Sequence, residues 1–396
     1  MKRLLLISIL LLLAAGLVFS SDFGLLLDQK IEAGNDLFSY SPSITPWFSW
    51  NGNEGLSVYL SGLFTMTYNN FGGNKDSGWD KPVVRPEISR FSFSYRFGQK
   101  YSLEAGRVGY SDAMGFVASG LFDGVRFYAE LPVGSLSAGL LYTGLLYKET
   151  AKIIMTGGDA QEYGDLWAWD NFGAYFASKR LMASARLNIP FGEANTLSVE
   201  AIAQFDLNGN DDALHSQYAE VQALIYPMST MGITVAGFLE AMEGENGFGA
   251  AFGALARLKI DIPGPLNDWM NFTVKFTSGS WNDTFTSFTP VSSITQGFVF
   301  AGTQSGFVMI SADYNVRIIS TLLAEAALRH FMRTYNDPAE KGNLYGGELY
   351  MSLVWQPLED IRLSFGAGAF FPGLGNMEIV GDKVKWKLNA VLSLSF

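Results

Sequence analysis

The chain ends on the stretch "VKWKLNAVLSLSF" (residues 384–396), in which apolar and polar residues alternate. One parity holds Trp386, Leu388, Ala390, Leu392, Leu394 and Phe396, and the other is polar apart from Val391. A period of two predicts a β-strand with one apolar and one polar face. The fold therefore depends on which solvent each face meets.

The other end of the chain, "MKRLLLISILLLLAAGLVFS" (residues 1–20), has the layout of a secretory signal peptide. Lys2 and Arg3 precede an apolar run, and small residues follow it. The run is short for a membrane-spanning helix of about 20 residues, although an uncleaved anchor is the alternative. We predict a cleaved signal over 1–20 and an exported protein over 21–396.

The composition excludes several classes of protein. The chain has no cysteine, which excludes disulfides, cysteine-ligated zinc and a cysteine nucleophile. Removal of residues 1–20 leaves 25 basic against 38 acidic residues, a net charge of −13, which argues against a nucleic-acid partner. With 14% aromatic residues, 43 glycines and 16% charged residues, the chain fits an all-β fold with many turns.

The terminal alternation recurs along the chain, for example in "RFSFSYRF" (90–97) and "TLSVEAIAQFDL" (196–207). Short turns such as "FGQK" (97–100) alternate with longer loops, as expected when an up-and-down antiparallel barrel has tight turns at one rim. We count about eighteen strands, or sixteen if the two earliest, 23–34 and 43–51, do not form. Two later spans are 134–146 and 174–190. One barrel domain over 21–396 is predicted.

The charges decide between a soluble sandwich and a transmembrane barrel. They lie mid-strand on the polar parity, as in a wet lumen, and are nearly absent from the apolar parity, where a charge facing lipid would cost about 2–4 kcal/mol. Tryptophans near strand ends are expected to form interfacial girdles. These are Trp47, Trp50, Trp269, Trp355 and Trp386. We predict a barrel in a bacterial outer membrane, with lipid on its apolar face.

Two stretches resemble known families. The terminal strand, with Leu392, Leu394 and Phe396, looks like the assembly signal of bacterial outer-membrane β-barrels, which implies that the barrel assembly machinery is a partner. The stretch "GRVGYSDAMGFVASGLFDGVR" (106–126) resembles porin and alginate-exporter-like barrels. That likeness covers about one hairpin, at Gly106, Arg107, Asp112, Asp123 and Gly124, and it implies a porin-like channel.

Charged residues on the polar parity are candidates for the pore lining. We select Arg90, Arg126, Glu130, Arg186, Glu200, Glu220, Arg257, Lys275, Glu325, Arg329 and Arg362. About thirteen bases and nine acids share this parity, which predicts a mildly positive lumen and a preference for anions. The alternative is that these charges pair across the wall and maintain the shape of the barrel.

Other motifs indicate no catalysis. The two histidines, His215 and His330, lack the partners that barrel hydrolases need, so we expect no enzymatic activity, cofactor or metal site. "DLNGNDD" (206–212) has alternating oxygen ligands but lacks the Gly and Glu of a calcium loop, and a polar hairpin loop explains it. The apolar loop at 280–302 is expected to fold into the lumen, with 147–173 as a second candidate for narrowing the pore.

The sequence thus predicts a porin-like channel for passive diffusion of small hydrophilic solutes, preferring anions. Two alternatives stay open. One is a substrate-selective or acidic-polysaccharide export barrel. The other is an adhesin or structural barrel with a closed lumen. The identity of the solute and the oligomeric state do not follow from the sequence.

Overall fold

The fold is described from a computed structural model of the 396-residue chain. The described residues are 21–35, 37–52, 55–71, 83–163, 171–209, 213–244, 247–280, 285–302, 304–335, 342–376 and 383–396. The predicted signal peptide lies outside them. Within the described residues no helix is long and apolar enough to cross a membrane.

Eighteen strands make up the fold. They are β1 (Ser21–Gly34), β2 (Leu37–Asn51), β3 (Leu56–Phe71), β4 (Val83–Phe97), β5 (Tyr101–Ser111), β6 (Ser119–Leu131), β7 (Gly134–Tyr142), β8 (Arg180–Phe191), β9 (Asn195–Asp206), β10 (His215–Met228), β11 (Met231–Gly244), β12 (Gly247–Ile262), β13 (Asp268–Thr277), β14 (Phe307–Ile319), β15 (Leu322–Arg333), β16 (Leu344–Leu358), β17 (Ile361–Phe371) and β18 (Lys385–Ser395). Among the described residues, one short helix, α1 (Gly157–Tyr163), and two 3-10 turns (Phe172–Tyr175 and Pro372–Leu374) lie between strands.

Each strand pairs antiparallel with its neighbours in the chain, and β1 pairs with β18, so the sheet closes into a barrel. At the seam, Leu25 and Phe396 exchange backbone hydrogen bonds of 3.0 and 2.9 Å. Closure satisfies the backbone groups that an open edge would leave unpaired. The predicted antiparallel barrel is confirmed, with eighteen strands and not sixteen.

Strand ends differ from the prediction where the chain leaves the wall. β7 ends at Tyr142 and β8 begins at Arg180, so the intervening segment is a longer loop than the alternation suggested. β2 begins at Leu37, earlier than predicted, although it contains Pro42 and Pro46. Its ladder with β3 has gaps at both prolines, whereas the ladder with β1 is continuous. Proline removes a donor on one side only, and the strand therefore persists.

The pairing register keeps two distinct faces around the barrel. Leu239 and Leu328 on the outward face are 67% and 60% exposed, whereas Glu200 and Glu348 on the inward face are each 2% exposed. The inward acids are buried because loops fold over them. An apolar outer face and a polar inner face match the predicted arrangement.

The girdle prediction is wrong for two of the five tryptophans. Trp50, Trp355 and Trp386 have the outward parity, but Trp47 pairs with Ser61 and Trp269 with Asp261 on inward-facing rows. A tryptophan near a strand end is close to an interface, but only its parity decides whether it meets lipid or the lumen.

Candidate functional site

The β5–β6 loop (residues 112–118) folds around one carboxylate. Asp112 accepts hydrogen bonds from the backbone N–H groups of Met114, Phe116, Val117 and Ala118 at 2.8–3.1 Å. Four charge-assisted bonds fix a loop that has no regular secondary structure. The loop is therefore held in one conformation from within.

An inward-facing acid joins this loop to the wall. Glu200 on β9 accepts hydrogen bonds from the Tyr110 hydroxyl at 2.6 Å and from the backbone N–H of Ala113 at 2.8 Å. Arg186, on the neighbouring strand β8, donates to the same carboxylate at 2.7–2.8 Å. The loop therefore lies against the inner wall.

The β13–β14 loop (residues 285–302 of the described chain) also enters the lumen, as its apolar composition predicts. Glu348 on β16 accepts hydrogen bonds from the backbone N–H groups of Phe298, Val299 and Phe300, each at 2.8 Å. On the other side, the N–H of Thr289 donates to inward-facing Glu240 at 3.1 Å. Two buried carboxylates thus hold the loop at both ends.

Three loops are joined by backbone hydrogen bonds in the lumen. The N–H groups of Val291 and Ser292 both donate to the carbonyl of Val117, at 2.8 and 3.1 Å. The N–H of Ser293 donates to the carbonyl of Lys152, in the β7–β8 loop (residues 143–163 and 171–179 of the described chain), at 2.6 Å. All three loops therefore contribute to one obstruction inside the barrel.

The β7–β8 loop is anchored to the rim by aromatic side chains. Tyr147 and Tyr175 pack with ring centroids 4.9 Å apart. Burial raises the pKa of each phenol to about 12, so both stay neutral at ordinary pH. The Tyr175 hydroxyl donates to the carbonyl of Pro86 on β4 at 2.8 Å. The loop is thus fixed to β4 as well as to the luminal loops.

Part of the lumen is filled with apolar side chains. The ring of Phe288 lies 4.5 Å from that of Phe238 on β11, which in turn lies 5.9 Å from Phe116. These rings belong to a buried cluster that continues across β5–β12. Close packing leaves no room for water there. Any passage must therefore run along the remaining side of the lumen.

Two cavities lie on that remaining side, and one segment lines both. The inner cavity, of ≈ 480 Å³, is lined by Arg257, Lys275 and Arg329 among others. The outer cavity, of ≈ 470 Å³, is lined by Lys148 and Lys152 among others. Ile294 and Thr295 line both cavities. We call residues 294–296, with the wall facing them, the neck.

Positive charge is concentrated at the neck. Lys275 donates a hydrogen bond of 3.1 Å to the side-chain oxygen of Gln296, which is neutral. Among the described residues, no carboxylate oxygen lies within 4.0 Å of Arg257 or Lys275. Arg329, by contrast, pairs with Glu348 at 3.2 Å and with Asp313 at 3.7 Å, and Asp313 and Glu325 also line the cavity. Two of the three cations at the inner cavity therefore lack a neutralising partner.

Aromatic rings form one side of the inner cavity. Phe298 packs on Tyr350 with centroids 4.6 Å apart, and cations flank both rings. Lys387 lies 5.3 Å from the Phe298 centroid and Arg329 lies 5.5 Å from that of Tyr350. Gly368 makes room for this packing, because a Cβ there would lie 2.7 Å from the Phe298 ring. The cavity thus offers both charge and ring faces to a solute.

All eleven candidate pore-lining residues lie on inward-facing rows of the ladder. The inner cavity brings together Arg257, Lys275, Glu325 and Arg329. A second group, Arg186, Glu200 and Glu220, meets under the β5–β6 loop. The remaining four, Arg90, Arg126, Glu130 and Arg362, belong to neither group.

The alternation of the sequence did not identify every charged residue on the inward face of the barrel. The additional residues are Lys30, Arg85 and Arg317 and the acids Asp22, Asp28, Glu32, Glu87 and Asp261. A bulge at Ser89 shifts the register between β3 and β4, so Arg85 and Glu87 face inward although they differ in parity from Arg90. The whole lumen is therefore nearer to charge balance than predicted.

The residues that carried the porin resemblance have structural roles. Arg107 donates to both oxygens of Asp123 at 2.9 and 3.0 Å, joining β5 to β6. Gly106 has φ +125°, and a Cβ at Gly124 would lie 2.1 Å from the carbonyl oxygen of Leu140. These positions fix the hairpin that carries the Asp112 loop.

The stretch considered as a calcium loop has another role where it is described. Asp206 and Asp159 both pair with the buried guanidinium of Arg180, and Asn208 donates to Asp159. Residues 210–212 lie outside the described chain. Within the described ranges, no three His, Asp or Glu side chains are grouped to hold a metal ion.

The predicted assembly signal lies in the closing strand. Leu392 and Leu394 have the outward parity of β18, and Phe396 is 70% exposed. The accessible apolar row is compatible with recognition during insertion. Recognition of this strand by the barrel assembly machinery stays a prediction.

The chain thus forms a closed antiparallel barrel of eighteen strands, with a polar lumen into which three loops fold. No protein-family model and no curated protein matches the chain. Among solved structures, Pseudomonas aeruginosa OccK2 (OpdF) is similar, with a TM-score of 0.64 and 12% sequence identity, over 95% of this chain and 98% of that one. Pseudomonas aeruginosa OpdK with vanillate is similar with a TM-score of 0.61 and 14% sequence identity, over 96% of this chain and 100% of that one. OprD from the same organism is similar with a TM-score of 0.58 and 11% sequence identity, over 95% of each chain.

At these identities the similarity shows a shared fold.

Proposed function

We propose that this protein is a channel through which small anionic solutes cross the outer membrane by passive diffusion. The observation that carries the proposal is the neck, where Arg257 and Lys275 face a luminal cavity without a carboxylate partner among the described residues. Unpaired bases at a constriction favour anions over cations. No covalent step is involved, and the residues act through size and charge.

The dimensions of the neck favour a small solute. The cavities on its two sides, of ≈ 480 and ≈ 470 Å³, are each large enough for one small organic molecule. Because Ile294 and Thr295 line both cavities, a solute that leaves one cavity passes this segment and enters the other. We infer a relay of two sites on either side of residues 294–296.

A carboxylate is the anion that best fits the inner cavity. Arg257 presents a planar guanidinium group, which can bind a carboxylate through two parallel hydrogen bonds. Phe298 and Tyr350 supply ring faces beside it. The similar OpdK structure contains vanillate, an aromatic carboxylate, which supports this class of solute for the present chain.

The two alternatives from the sequence analysis predict other behaviour. An exporter of an acidic polymer needs a passage continuous enough for a chain, whereas three loops are hydrogen-bonded across this lumen. A closed adhesin would need no unpaired bases at a cavity. We further propose that the signal over residues 1–20 is cleaved, that lipid covers the outward face and that the assembly machinery reads Phe396.

Conductance of the mature protein in a planar bilayer tests the proposal. A gradient of potassium chloride gives the ratio of chloride to potassium permeability from the reversal potential. We expect discrete steps with a ratio above one. A ratio below one would refute anion selection, and folded, inserted protein without any steps would favour the closed barrel.

A further inference from the structure

A groove of ≈ 850 Å³ runs along the outer surface of the barrel from β11 to β17. Leu328 and His330 on β15 line this groove, whereas the side chain of Arg329, between them, pairs with Glu348 in the lumen. Successive side chains of a strand point to opposite faces, so Leu328 and His330 point away from the lumen. The groove therefore lies on the face that we expect lipid to cover.

The middle of the groove is apolar and has a small residue at its centre. Ala312 on β14 is directly opposite Phe272 on β13 and Leu328 on β15. Phe272 and Leu328 are 41% and 60% exposed, so larger side chains stand on both sides of the alanine. Between β11 and β17 the groove crosses six interstrand spacings of about 4.8 Å, which gives it a length of roughly 29 Å. The hydrocarbon of one leaflet is only about 15 Å thick, so an acyl chain fits along the groove.

The upper end of the groove is open around a histidine. Gly347 on β16 is directly opposite His330. A Cβ on Gly347 would lie 2.9 Å from the side chain of Leu374 and 3.8 Å from Nδ1 of His330. Leu374, in the 3-10 turn after β17, also lines the groove. The imidazole of His330 thus lies within an apolar lining, beside a backbone that carries no side chain.

His330 is the one ionisable side chain of outward parity in the lining of the groove. It has no hydrogen-bond or ion-pair partner among the described residues. A polar group that faces hydrocarbon without a partner costs free energy, and an ionisable residue at such a place indicates a functional site. A polar group of whatever occupies the groove is therefore needed to complete the surroundings of this imidazole.

His330 lies near the upper edge of the apolar band. Trp355 is opposite Leu322 at the tight-turn rim and has the outward parity, which places the lower interface there. From Leu322 to His330 the strand advances by about eight residues of about 3.3 Å at a tilt of about 40°, a rise of roughly 20 Å. The apolar band of such barrels is about 25 Å tall. The imidazole is therefore at the depth where the headgroups of the outer leaflet begin.

We propose that this groove binds one lipid with a phosphate headgroup, whose acyl chain lies along the groove while its phosphate accepts a hydrogen bond from His330. Imidazole has at least one N–H to donate, and phosphate oxygens are strong acceptors. The occupant is a lipid and not a transported solute, because the groove faces the hydrocarbon of the membrane. The proposal is independent of the anion channel, since the side chains that carry it face away from the lumen.

Two probe lipids with the same acyl chains test the proposal. Palmitoyl-oleoyl-phosphatidylglycerol carries the phosphate, and palmitoyl-oleoyl-glycerol has the same chains without it. Native mass spectrometry of the full mature protein, titrated with each lipid in detergent, gives the two dissociation constants. We expect phosphatidylglycerol to bind about tenfold more tightly, as one hydrogen bond to a charged group provides.

His330→Leu is the test variant, and we expect it to lower the affinity for phosphatidylglycerol to that for the diacylglycerol, which stays unchanged. Gln217→Leu is the matched control, because Gln217 is another outward-facing polar residue near the same end of its strand, outside the groove. It should change neither affinity. Ala312→Phe fills the middle of the groove and should weaken both lipids, by about fourfold for each methylene that no longer fits.

Three outcomes would overturn the lipid site. Equal binding of the two lipids to the wild type, or an effect of His330→Leu no larger than that of Gln217→Leu, would exclude the phosphate contact. Unchanged binding of both lipids to Ala312→Phe would place their chains elsewhere. A dimer of the wild type that Ala312→Phe dissociates would assign the groove to a second copy of this chain. Reversal potentials of the same variants should equal that of the wild type, so a failure of the anion channel is recognised separately.

Discussion

Replacing Lys275 by methionine removes one positive charge from the neck and keeps the length of the side chain. Lys275 donates to Gln296 and has no carboxylate within 4.0 Å among the described residues, so its charge acts on whatever occupies the inner cavity. We expect the variant to conduct with a lower ratio of chloride to potassium permeability.

The size of the effect follows from the geometry. A chloride ion at about 5 Å from the lost charge would lose roughly 3 kcal/mol at an effective dielectric constant of about 20. Water and salt in the lumen screen this value over a Debye length of about 10 Å at 0.1 M, and Arg257 and Arg329 remain. We therefore expect about 1 kcal/mol, which is roughly a fivefold fall in the permeability ratio.

Reversal potentials in bilayers at about 0.1 M and at about 1 M potassium chloride give the ratio of chloride to potassium permeability. The difference in this ratio between variant and wild type should shrink at the higher salt. Lys259→Met is the matched control. Lys259 faces inward but pairs with Asp261 at 2.8 Å, and its side chain is 43% exposed, so its removal should change the ratio by less than about twofold. A shift in Lys275→Met no larger than in this control would refute the reasoning.

Three further variants test how the neck is built. Glu348→Ala removes the acceptor of three backbone N–H groups, so we expect larger and noisier single-channel currents. Glu348→Gln keeps one acceptor oxygen and should give intermediate currents. Unchanged currents in Glu348→Ala would contradict the anchoring role of this carboxylate. Arg180→Met removes the guanidinium that pairs with the buried Asp159 and Asp206, and should lower the free energy of unfolding in vesicles by about 3–5 kcal/mol. A loss of less than about 1 kcal/mol would be incompatible with this pairing. Gly124→Ala would place a Cβ 2.1 Å from the Leu140 carbonyl oxygen and should reduce the yield of folded barrel on heat-modifiability gels, whereas Gly373→Ala, with open space around it, should fold normally.

The bases at the inner cavity show what a linear pattern cannot predict. Arg257, Lys275 and Arg329 lie on β12, β13 and β15, and each could be assigned to the lumen from its parity. Which of them keep an unpaired charge depends on partners elsewhere in the chain. Glu348 neutralises Arg329 and also binds the β13–β14 loop, 48–50 residues away, and no local signal marks this double role.

Parity itself fails where the backbone is irregular. The bulge at Ser89 turns Arg85 and Glu87 inward, and the sequence around it shows no clear marker. For Trp47, closeness to a strand end suggested the membrane interface, but the register with Ser61 places it in the lumen.

By itself the sequence determined the class of fold, the number of strands and the two faces of the barrel. These features follow from the two-residue period of an extended chain, which is a local property that every strand repeats. Only the tertiary structure decided which loops fill the lumen and which bases stay unpaired at the neck. Those contacts join residues far apart in the chain, and their energies depend on distance, burial and partners that no local period encodes.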